Sequence, residues 1–499
     1  IHWFRKGLRL HDNPSLLAAC EGAHTVYPVF VLDPHFFGSR RSRVGKVRCR
    51  FLLEALSDLD ATLQNRYNSR LFVVKGSPYK VFPNLISCWG VNRISWEHDT
   101  EPYARVRDAK IAKLANEAGV EVAVRHSHTL YNIDKLVKKA NHPKKGITSY
   151  SAFLKFLESL DEGPGEPLPP PRAIPRDDRD LHGRFAATEH TVPTLTENNG
   201  FFEQSGQNRA ALPLFPGGES YALKRMHKQL SRVLFICQFS KPKTNPTALQ
   251  PATTALSPYL KFGCLSARLY YWEVRRVYQS RMQLDHGAKM IVTKPPQSLE
   301  GQLLWREFFY FNSVAVANYD RMEGNPICKQ IPWRSSASYT ICQTIKGYPY
   351  VDAIMTELKE TGWVHHIARH MAACFLTRGD LWISWERGAA VFSKLLVDAD
   401  YALNNGNWMW VSASAFFDKF DRVYHPVFGG KKRDRHGAYV RKWLPVLRRL
   451  PDEYVWEPWR APKEVQVACG CVVGKDYPFP VVDHDAAAKA NLIKMRSAY

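Results

Sequence analysis

Several patterns that would assign this chain to a familiar class are missing from its sequence. It has no run of about 18 apolar residues, so no membrane-spanning helix is expected. Its ten cysteines include no Cys-x-x-Cys pair, which argues against a zinc site or a disulfide framework and favours reduced intracellular thiols. No metal site is therefore expected. No Gly-x-Gly-x-x-Gly follows a strand pattern, which gives a Rossmann-type dinucleotide site little support. No signal-like segment follows Ile1, and a removed leader stays open.

The chain is strongly basic. Its 69 lysines and arginines against 47 acidic residues give a net charge of +22, which favours a polyanionic partner, nucleic acid rather than membrane. The alternative is a soluble protein that is merely basic.

The first part of the chain alternates apolar strand patterns with amphipathic helices. Four strands are predicted at Thr25 to Leu32, Arg70 to Lys75, Val91 to Trp96 and Val120 to Val124. Strands that are apolar on both faces and joined by helices predict a doubly wound parallel sheet.

The rest of the chain is predicted to be mostly helical. Asp161 to Asp180 is rich in proline and charge, which is typical of an interdomain linker. Helical periodicity follows, beginning with one predicted helix from Glu219 to Phe235. We therefore predict an α/β domain over residues 1–130, a linker over 131–214 and an all-α domain over 215–499.

Residues 361–410 concentrate the residue types that carry chemistry. His366 and His370 are spaced i, i+4, so they should share one face of a helix that continues towards Thr377. Arg369 can form a buried ion pair with Asp398 or Asp400, or these groups can hold a polar ligand. The histidine pair can also bind zinc, but the segment lacks a metalloprotease glutamate and an obvious third ligand.

Two further features have competing interpretations. Thr253, Thr254 and Ser257 precede a helix, where hydroxyls and backbone N–H groups suit a phosphate, although a simple N-cap is the commoner reason. Tryptophans are frequent near the histidines and can bind flat rings or pass single electrons. Core packing is the alternative for each of them.

With these residues laid out, the chain resembles the cryptochrome/photolyase family along nearly its whole length, especially the animal-type branch of (6-4) photolyases and animal-like cryptochromes. The resemblance rests on several ordered motifs: FPGGE, TTALSPYLKFGCLSARL, GQLLWREFFY, CKQIPW, GWVHHIARH, CFLTRGDLWISWE and LNNGNWMWVSASAFF. It implies an α/β antenna domain followed by a helical domain that binds FAD. An antenna chromophore, a deazaflavin or a folate, can accompany the FAD.

The resemblance also implies roles for individual residues. FAD would contact Thr253, Thr254, Ala255, Leu256, Ser257, Gln302, Arg306, Arg369, Asp398, Asp400, Asn404 and Asn407. Asn404 matches the position that faces flavin N5. Electrons would pass through Trp408, Trp385 and Trp333, with Trp382 at a fourth, outer position, whereas Trp410 is expected to pack in the core. DNA would contact Lys241, Gln302, Trp305, Tyr424, Arg422, Lys431 and Lys432.

The histidine pair favours one branch of the family. His366 matches a general acid that assists (6-4) photoproduct repair, and His370 would tune its charge. The sequence hypothesis is thus a light-driven (6-4) DNA photolyase that acts as a monomer on ultraviolet-damaged DNA. The alternative is a cryptochrome photoreceptor that signals through protein partners, and both functions can coexist. A nuclear location is expected, with an organelle open if a leader was removed.

Overall fold

The computed structural model describes residues 1–37, 44–140, 145–176, 190–194, 214–284, 292–334 and 346–499. The chain divides into two compact units. Unit one comprises Ile1–Pro143, Leu154–Ser240 and Leu256–Val314, and unit two comprises Lys144–Phe153, Lys241–Ala255 and Ala315–Tyr499.

Unit one contains a five-stranded parallel sheet. Its strands are β1 (His2–Phe4), β2 (Pro28–Leu32), β3 (Phe72–Lys75), β4 (Arg93–Glu97) and β5 (Glu121–Arg125), in the order β3-β2-β1-β4-β5. The predicted doubly wound parallel sheet is confirmed, and the four predicted strands correspond to β2 to β5. The central strand β1 was not predicted, because three residues are too few to show a period. All three of its residues are buried.

The helices are, in chain order, α1 (Pro14–Cys20), α2 (Pro34–Phe37), α3 (Lys46–Tyr67), α4 (Pro78–Trp89), α5 (Pro102–Glu117), α6 (Ile133–Lys139), α7 (Tyr150–Glu158), α8 (Glu219–Leu230), α9 (Val233–Gln238), α10 (Ser257–Phe262), α11 (Ala267–Leu284), α12 (Leu299–Ala315), α13 (Pro349–Thr361), α14 (His366–Cys374), α15 (Trp385–Leu395), α16 (Tyr401–Val411), α17 (Phe428–Lys431), α18 (Ala438–Trp443), α19 (Lys463–Ala468) and α20 (His484–Ala498). Local signals account for several of these bounds. Pro14, Pro78 and Pro102 begin helices, where proline costs no hydrogen bond. Gly90, with a φ of +61°, ends α4 in the left-handed conformation.

Two helical predictions are corrected. The single helix predicted from Glu219 to Phe235 is two helices, because the backbone at Arg232 (φ −85°, ψ 62°) leaves the helical region. The helix predicted to reach Thr377 ends as an α-helix at Cys374 and continues as one π-helical turn, Phe375–Gly379. Within this turn the backbone at Thr377 (φ −97°, ψ −114°) leaves the helical region, and its side chain donates a hydrogen bond to the carbonyl of Ala373 in α14.

Buried polar contacts join the segment between β1 and α1 to strand β4 and to helix α11 of the same unit. Arg9 and Glu97 are almost fully buried and form an ion pair of 3.1 Å. Asp12, also buried, accepts hydrogen bonds from the guanidinium of Arg268 on α11. Breaking such a pair would leave a buried charge uncompensated, so these contacts make the arrangement specific.

The predicted linker, residues 131–214, contains helices α6 and α7 where the structure describes it. Between residues 161 and 176 the described backbone forms neither helix nor strand. Residues 141–144, 177–189 and 195–213 of the predicted linker lie outside the described residues. The predicted domain ranges stay a prediction, and the two compact units divide the chain differently, since residues 215–240 and 256–314 belong to the unit that holds the sheet.

Candidate functional site

The histidine-rich segment of unit two forms helix α14 and holds two imidazoles side by side. The ring centroids of His366 and His370 lie 4.0 Å apart, with an interplanar angle of 62°. The i, i+4 spacing therefore puts them on one helix face, as predicted. His365, which had no predicted role, caps the helix, because its Nδ1 accepts a hydrogen bond from the backbone N–H of Ile367.

Both imidazoles sit in a positively charged, buried environment. Burial lowers the pKa of His366 well below its ordinary value, and its electrostatic interactions with the neighbouring His370 and Lys241 lower it further. Burial also lowers the pKa of His370 to about 3, with further contributions from Lys241 and Arg369. Both rings are therefore neutral near pH 7 in the protein alone. The role of His366 as a general acid stays a prediction.

Aromatic side chains enclose the histidine pair. The indole of Trp410 stacks on His370, with ring centroids 5.1 Å apart, and it also packs against Phe417 at 4.2 Å. The ring of Tyr424, a predicted DNA contact, meets His370 edge to face at 6.3 Å. Trp410 was predicted to be a core residue. Its contact with His370 has no local signal in the sequence, because the helix that carries Trp410 follows the histidines by some thirty residues.

Lys241 belongs to this cluster electrostatically. It begins a short 3-10 helix, Lys241–Lys243. Burial and the neighbouring charge of Arg369 lower the pKa of its ammonium to about 7. A positive charge is costly to hold in such surroundings, so this position is suited to a negatively charged ligand.

A bidentate ion pair forms the next part of the site. Arg369 donates from Nη1 and Nη2 to the two carboxylate oxygens of Asp398, at 3.0 and 2.9 Å. The Nε of Arg369 also donates to the carbonyl of Val364, at 2.9 Å. This geometry holds the planar guanidinium in one orientation. Asp400 is not the partner in this pair, since it caps α16 by accepting from the backbone N–H groups of Ala402 and Leu403.

The predicted asparagines lie on the first two turns of α16. The side-chain amide of Asn404 donates to the carbonyl of Ala389, at 2.9 Å, and thereby links α16 to α15. The amide of Asn407 donates to the carbonyl of Leu403, at 2.8 Å. These bonds orient both amides.

Within unit two, the predicted phosphate-binding segment shows an unusual backbone. Ala255 has a φ of +50°, which is uncommon for a residue with a Cβ and is often found at ligand sites. Thr254 and Ala255 are buried, and Thr253 is half-buried.

The four predicted electron-transfer tryptophans lie in two groups. Trp385 and Trp408 are buried and belong to α15 and α16, which pack against each other. Trp333 and Trp382 are in direct ring contact, with centroids 4.8 Å apart, and the indole N–H of Trp382 donates to the carbonyl of Pro332. Trp382, predicted to be the outer position, is itself buried, whereas Trp333 is half-buried.

The remaining predicted cofactor residues belong to unit one. Arg306 pairs with Glu307 at 3.3 Å and lies over the ring of Tyr310. Its Nη2 is buried without a hydrogen-bond partner among the described residues. The side chain of Gln302 donates to the carbonyl of Pro296, and Trp305 packs against Phe308 and Phe309. Leu256 is buried, and Ser257 begins α10.

Three predicted DNA contacts, Arg422, Lys431 and Lys432, lie at the surface of unit two. Arg422 and Lys432 are exposed, whereas Lys431 is half-buried and lies 3.5 Å from Glu457. Exposed cations of this kind suit the backbone of a nucleic acid, although they equally suit solvent.

Comparison with known proteins identifies the fold and its cofactor domain. The family model described as DNA photolyase matches residues 1–172, and the model described as the FAD binding domain of DNA photolyase matches residues 298–497. Over 507 residues, the chain is 46% identical to Cryptochrome-1 of Gallus gallus, an alignment that covers all of this chain and 78% of that protein. It belongs to the cryptochrome/photolyase family.

Other family members extend the comparison. Cryptochrome-2 of Gallus gallus is 45% identical over 508 residues, covering 100% of this chain and 83% of that protein. A Synechocystis cryptochrome structure matches with a TM-score of 0.82 and 26% identity, covering 99% of this chain and 98% of that one. A class III photolyase structure from Agrobacterium tumefaciens matches with a TM-score of 0.81 and 26% identity, covering 100% of this chain and 97% of that one.

Within the described ranges, no helix combines the length and apolar character needed to cross a bilayer.

The residues present fit FAD, the cofactor of this family. The buried side-chain nitrogens without a hydrogen-bond partner among the described residues include Nη2 of Arg306 in unit one and Nε2 of His370 in unit two. Leaving such groups unsatisfied is costly, so each of these two positions, taken by itself, suits a polar ligand. The oriented Arg369–Asp398 pair and the amides of α16 provide further polar groups for a flavin.

Proposed function

We propose that this protein is a blue-light receptor of the cryptochrome type, which signals through protein partners after light-driven reduction of its FAD. The carrying observation is the placement of the four tryptophans, two buried on packed helices and two in ring contact at 4.8 Å. The similarity of 44–46% to animal cryptochromes over the whole chain supports the same assignment.

The tryptophans would act as a relay. FAD, when bound, absorbs blue light and accepts an electron. Indole is oxidised more readily than other neutral side chains, so Trp408 would donate the first electron and would then be reduced again by Trp385. The positive charge would next be shared by Trp333 and Trp382, whose rings are in contact. Lys494 lies 4.9 Å over the ring of Trp382, so its ammonium would disfavour a positive charge there and hold it on Trp333.

This relay is tested by replacing one tryptophan at a time. The FAD-loaded protein, with an external electron donor, is illuminated with blue light while the loss of oxidised-flavin absorbance is followed. Trp408→Phe and Trp385→Phe should abolish photoreduction, because phenylalanine is much harder to oxidise. Trp443→Phe, on α18, serves as the matched control and should behave as the wild type. Photoreduction at the wild-type rate in both Trp408→Phe and Trp385→Phe would refute the relay.

Repair of (6-4) photoproducts is the second candidate function, and the histidine cluster favours it. His366 and His370 are in ring contact, and Trp410, Tyr424 and Lys241 surround them with aromatic faces and a cation. A base that leaves the duplex stack can be held by such aromatic surfaces. The net charge of +22 would attract DNA in a salt-dependent way.

The surroundings of His366 determine when it can donate a proton. Burial is the largest reason why it is neutral in the protein alone, and Lys241 and Arg369 make smaller contributions. A bound nucleic acid brings negative charge, which would oppose these smaller contributions and raise the pKa of His366. Proton donation would therefore depend on bound substrate, so the free protein does not hold the acid in its charged form.

Defined oligonucleotides test this function directly. One carries a single (6-4) photoproduct and the other a single cyclobutane dimer, and each is incubated with chemically reduced protein in light and in darkness. Light-dependent loss of the (6-4) lesion alone would establish repair. His366→Asn should then slow repair by about 10²- to 10⁴-fold, the contribution typical of a general acid. His365→Asn is the matched control, since asparagine also caps helices well.

No repair of either lesion by a photoreducible protein would leave signalling as the function. Undiminished repair by His366→Asn would remove the proposed acid. The nuclear location, the monomeric state and a deazaflavin or folate in the antenna domain remain predictions.

A further inference from the structure

Three potential metal ligands meet at the carboxyl edge of the sheet in unit one. Strands β4 and β5 are parallel, and Glu97 lies opposite Arg125 in their register. The next residues, His98 and His126, therefore leave the sheet at matching positions. The backbone N–H of His98 also donates to the carbonyl of Arg125, which extends the ladder by one bond. As a result, the two imidazoles stack with centroids 4.0 Å apart.

A carboxylate from the following helix completes the group. Asp134 lies in the first turn of α6, whose start is held by Asn132, since that side chain accepts a hydrogen bond from the N–H of Lys135. The Oδ2 of Asp134 is 2.9 Å from Nε2 of His98. One ligand atom from each of His98, His126 and Asp134 lies within 4.8 Å of the others.

The site is accessible to solvent. All three side chains are half-buried, so an ion can enter from solvent. The ring nitrogens of His126 have no hydrogen-bond partner among the residues that the structure describes.

We propose that His98, His126 and Asp134 bind one divalent transition-metal ion of the zinc type. Two imidazole nitrogens and one carboxylate oxygen are a ligand set that zinc accepts, with water in the fourth position. Zinc bonds are about 2 Å long, so ligand atoms on a common ion lie about 3–4 Å apart. The three atoms reach that spacing by small side-chain rotations. The ion would take the place of the direct contact between Nε2 of His98 and Oδ2 of Asp134.

Arg105 completes the surroundings of the site. Its Nη1 lies 3.6 Å from Oδ1 of Asp134, the oxygen that faces away from His98. This contact orients the carboxylate, as groups outside the ligand shell of metal sites do. The cysteine pattern, on which the prediction of no metal site rested, contains no information about this group, whose histidines are 28 residues apart.

Zinc binding to the complete FAD-loaded protein tests the proposal. The protein is first stripped with a chelator, and zinc affinity is then measured by competition with a chromophoric chelator. Bound zinc is counted after dialysis by elemental mass spectrometry. His126→Ala and Asp134→Asn should each remove one zinc per chain. Losing an outer-shell partner of a metal ligand costs about 10–100-fold in affinity, and losing a ligand should cost at least as much.

The controls separate this site from other histidines. His24→Ala removes an exposed histidine of the same unit and should leave both stoichiometry and affinity unchanged. A second group, His425, His484 and Asp485 in unit two, also has ligand atoms close together, and any zinc bound there remains in all variants. Unchanged FAD content and circular dichroism confirm folding, and Asp134→Asn provides an isosteric variant if His126→Ala does not fold. Equal zinc binding by wild type and Asp134→Asn would overturn the proposal, leaving His98 and Asp134 as an ordinary ion pair.

Discussion

Replacing Gly388 by alanine should displace Trp408, the first member of the proposed relay. Gly388 lies within α15 and is buried. A Cβ built there would lie 2.1 Å from Cη2 and 2.4 Å from Cζ3 of Trp408, and 2.7 Å from Cδ2 of Leu376. Carbon atoms in favourable contact are about 3.5–4.0 Å apart, so the indole would have to move by more than about 1 Å.

Two opposing effects set the magnitude. Alanine is favoured over glycine inside a helix by about 1 kcal/mol. Overpacking a buried site costs about 1–3 kcal/mol, and more where the obstacle is rigid, as an indole between two helices is. The clash should win, with a net loss of up to about 2 kcal/mol in the free energy of unfolding.

The assay compares urea unfolding midpoints and photoreduction rates of the FAD-loaded protein. Gly388→Ala should unfold at lower urea and photoreduce more slowly, because Trp408 is displaced. Ala390→Gly, at an exposed position of the same helix, should lose about 1 kcal/mol from propensity alone and photoreduce normally. A Gly388→Ala protein at least as stable as wild type, with an unchanged photoreduction rate, would refute the packing argument.

Two further predictions concern the charged part of the site. Asp398→Asn should cost about 1.5–3 kcal/mol of stability, the range for hydrogen bonds to charged groups, and should weaken FAD retention, because Arg369 loses its bidentate partner. Urea unfolding and flavin release measure both effects, and full retention with wild-type stability would contradict the assignment. The pKa of His370 is lowered from an ordinary 6.5 to about 3. Between pH 3 and pH 6.5, therefore, the unfolded chain binds a proton at this residue that the folded chain does not bind. Stability should therefore fall as pH falls through this window, with a slope of up to about 1.4 kcal/mol per pH unit from this group, and His370→Asn should flatten the profile of unfolding free energy against pH. An unchanged slope would show that His370 is not held neutral in the fold.

Local patterns in the sequence predicted some features of the molecule correctly. The i, i+4 spacing placed His366 and His370 on one face, and the Arg369–Asp398 pair was expected from charge content near the histidines. Asp400 was offered as an alternative partner, but it instead caps α16. A carboxylate directly before a helix is a common cap, so position alone could have indicated this outcome.

Interactions between distant segments were not predictable in this way. Trp410 looked like a core residue, yet its ring stacks on His370 because α14 and α16 pack together. The pKa of His366 depends on Lys241, which is 125 residues earlier in the chain. Strand β1 was missed because three apolar or aromatic residues carry no period, although it pairs with both β2 and β4 at the centre of the sheet.

The sequence by itself determined what depends on neighbours along the chain, and its ordered motifs indicated the family. Helix faces, strand periods and the proline and glycine ends of helices follow from spacings of a few residues, which elementary backbone geometry converts into structure. Tertiary structure alone decided which charges surround a histidine, which indole meets which ring, and that His98 and His126 leave adjacent strands together. The physical reason is that burial and Coulomb interactions act over a few ångströms in space, and only the folded chain brings residues far apart in sequence within that range.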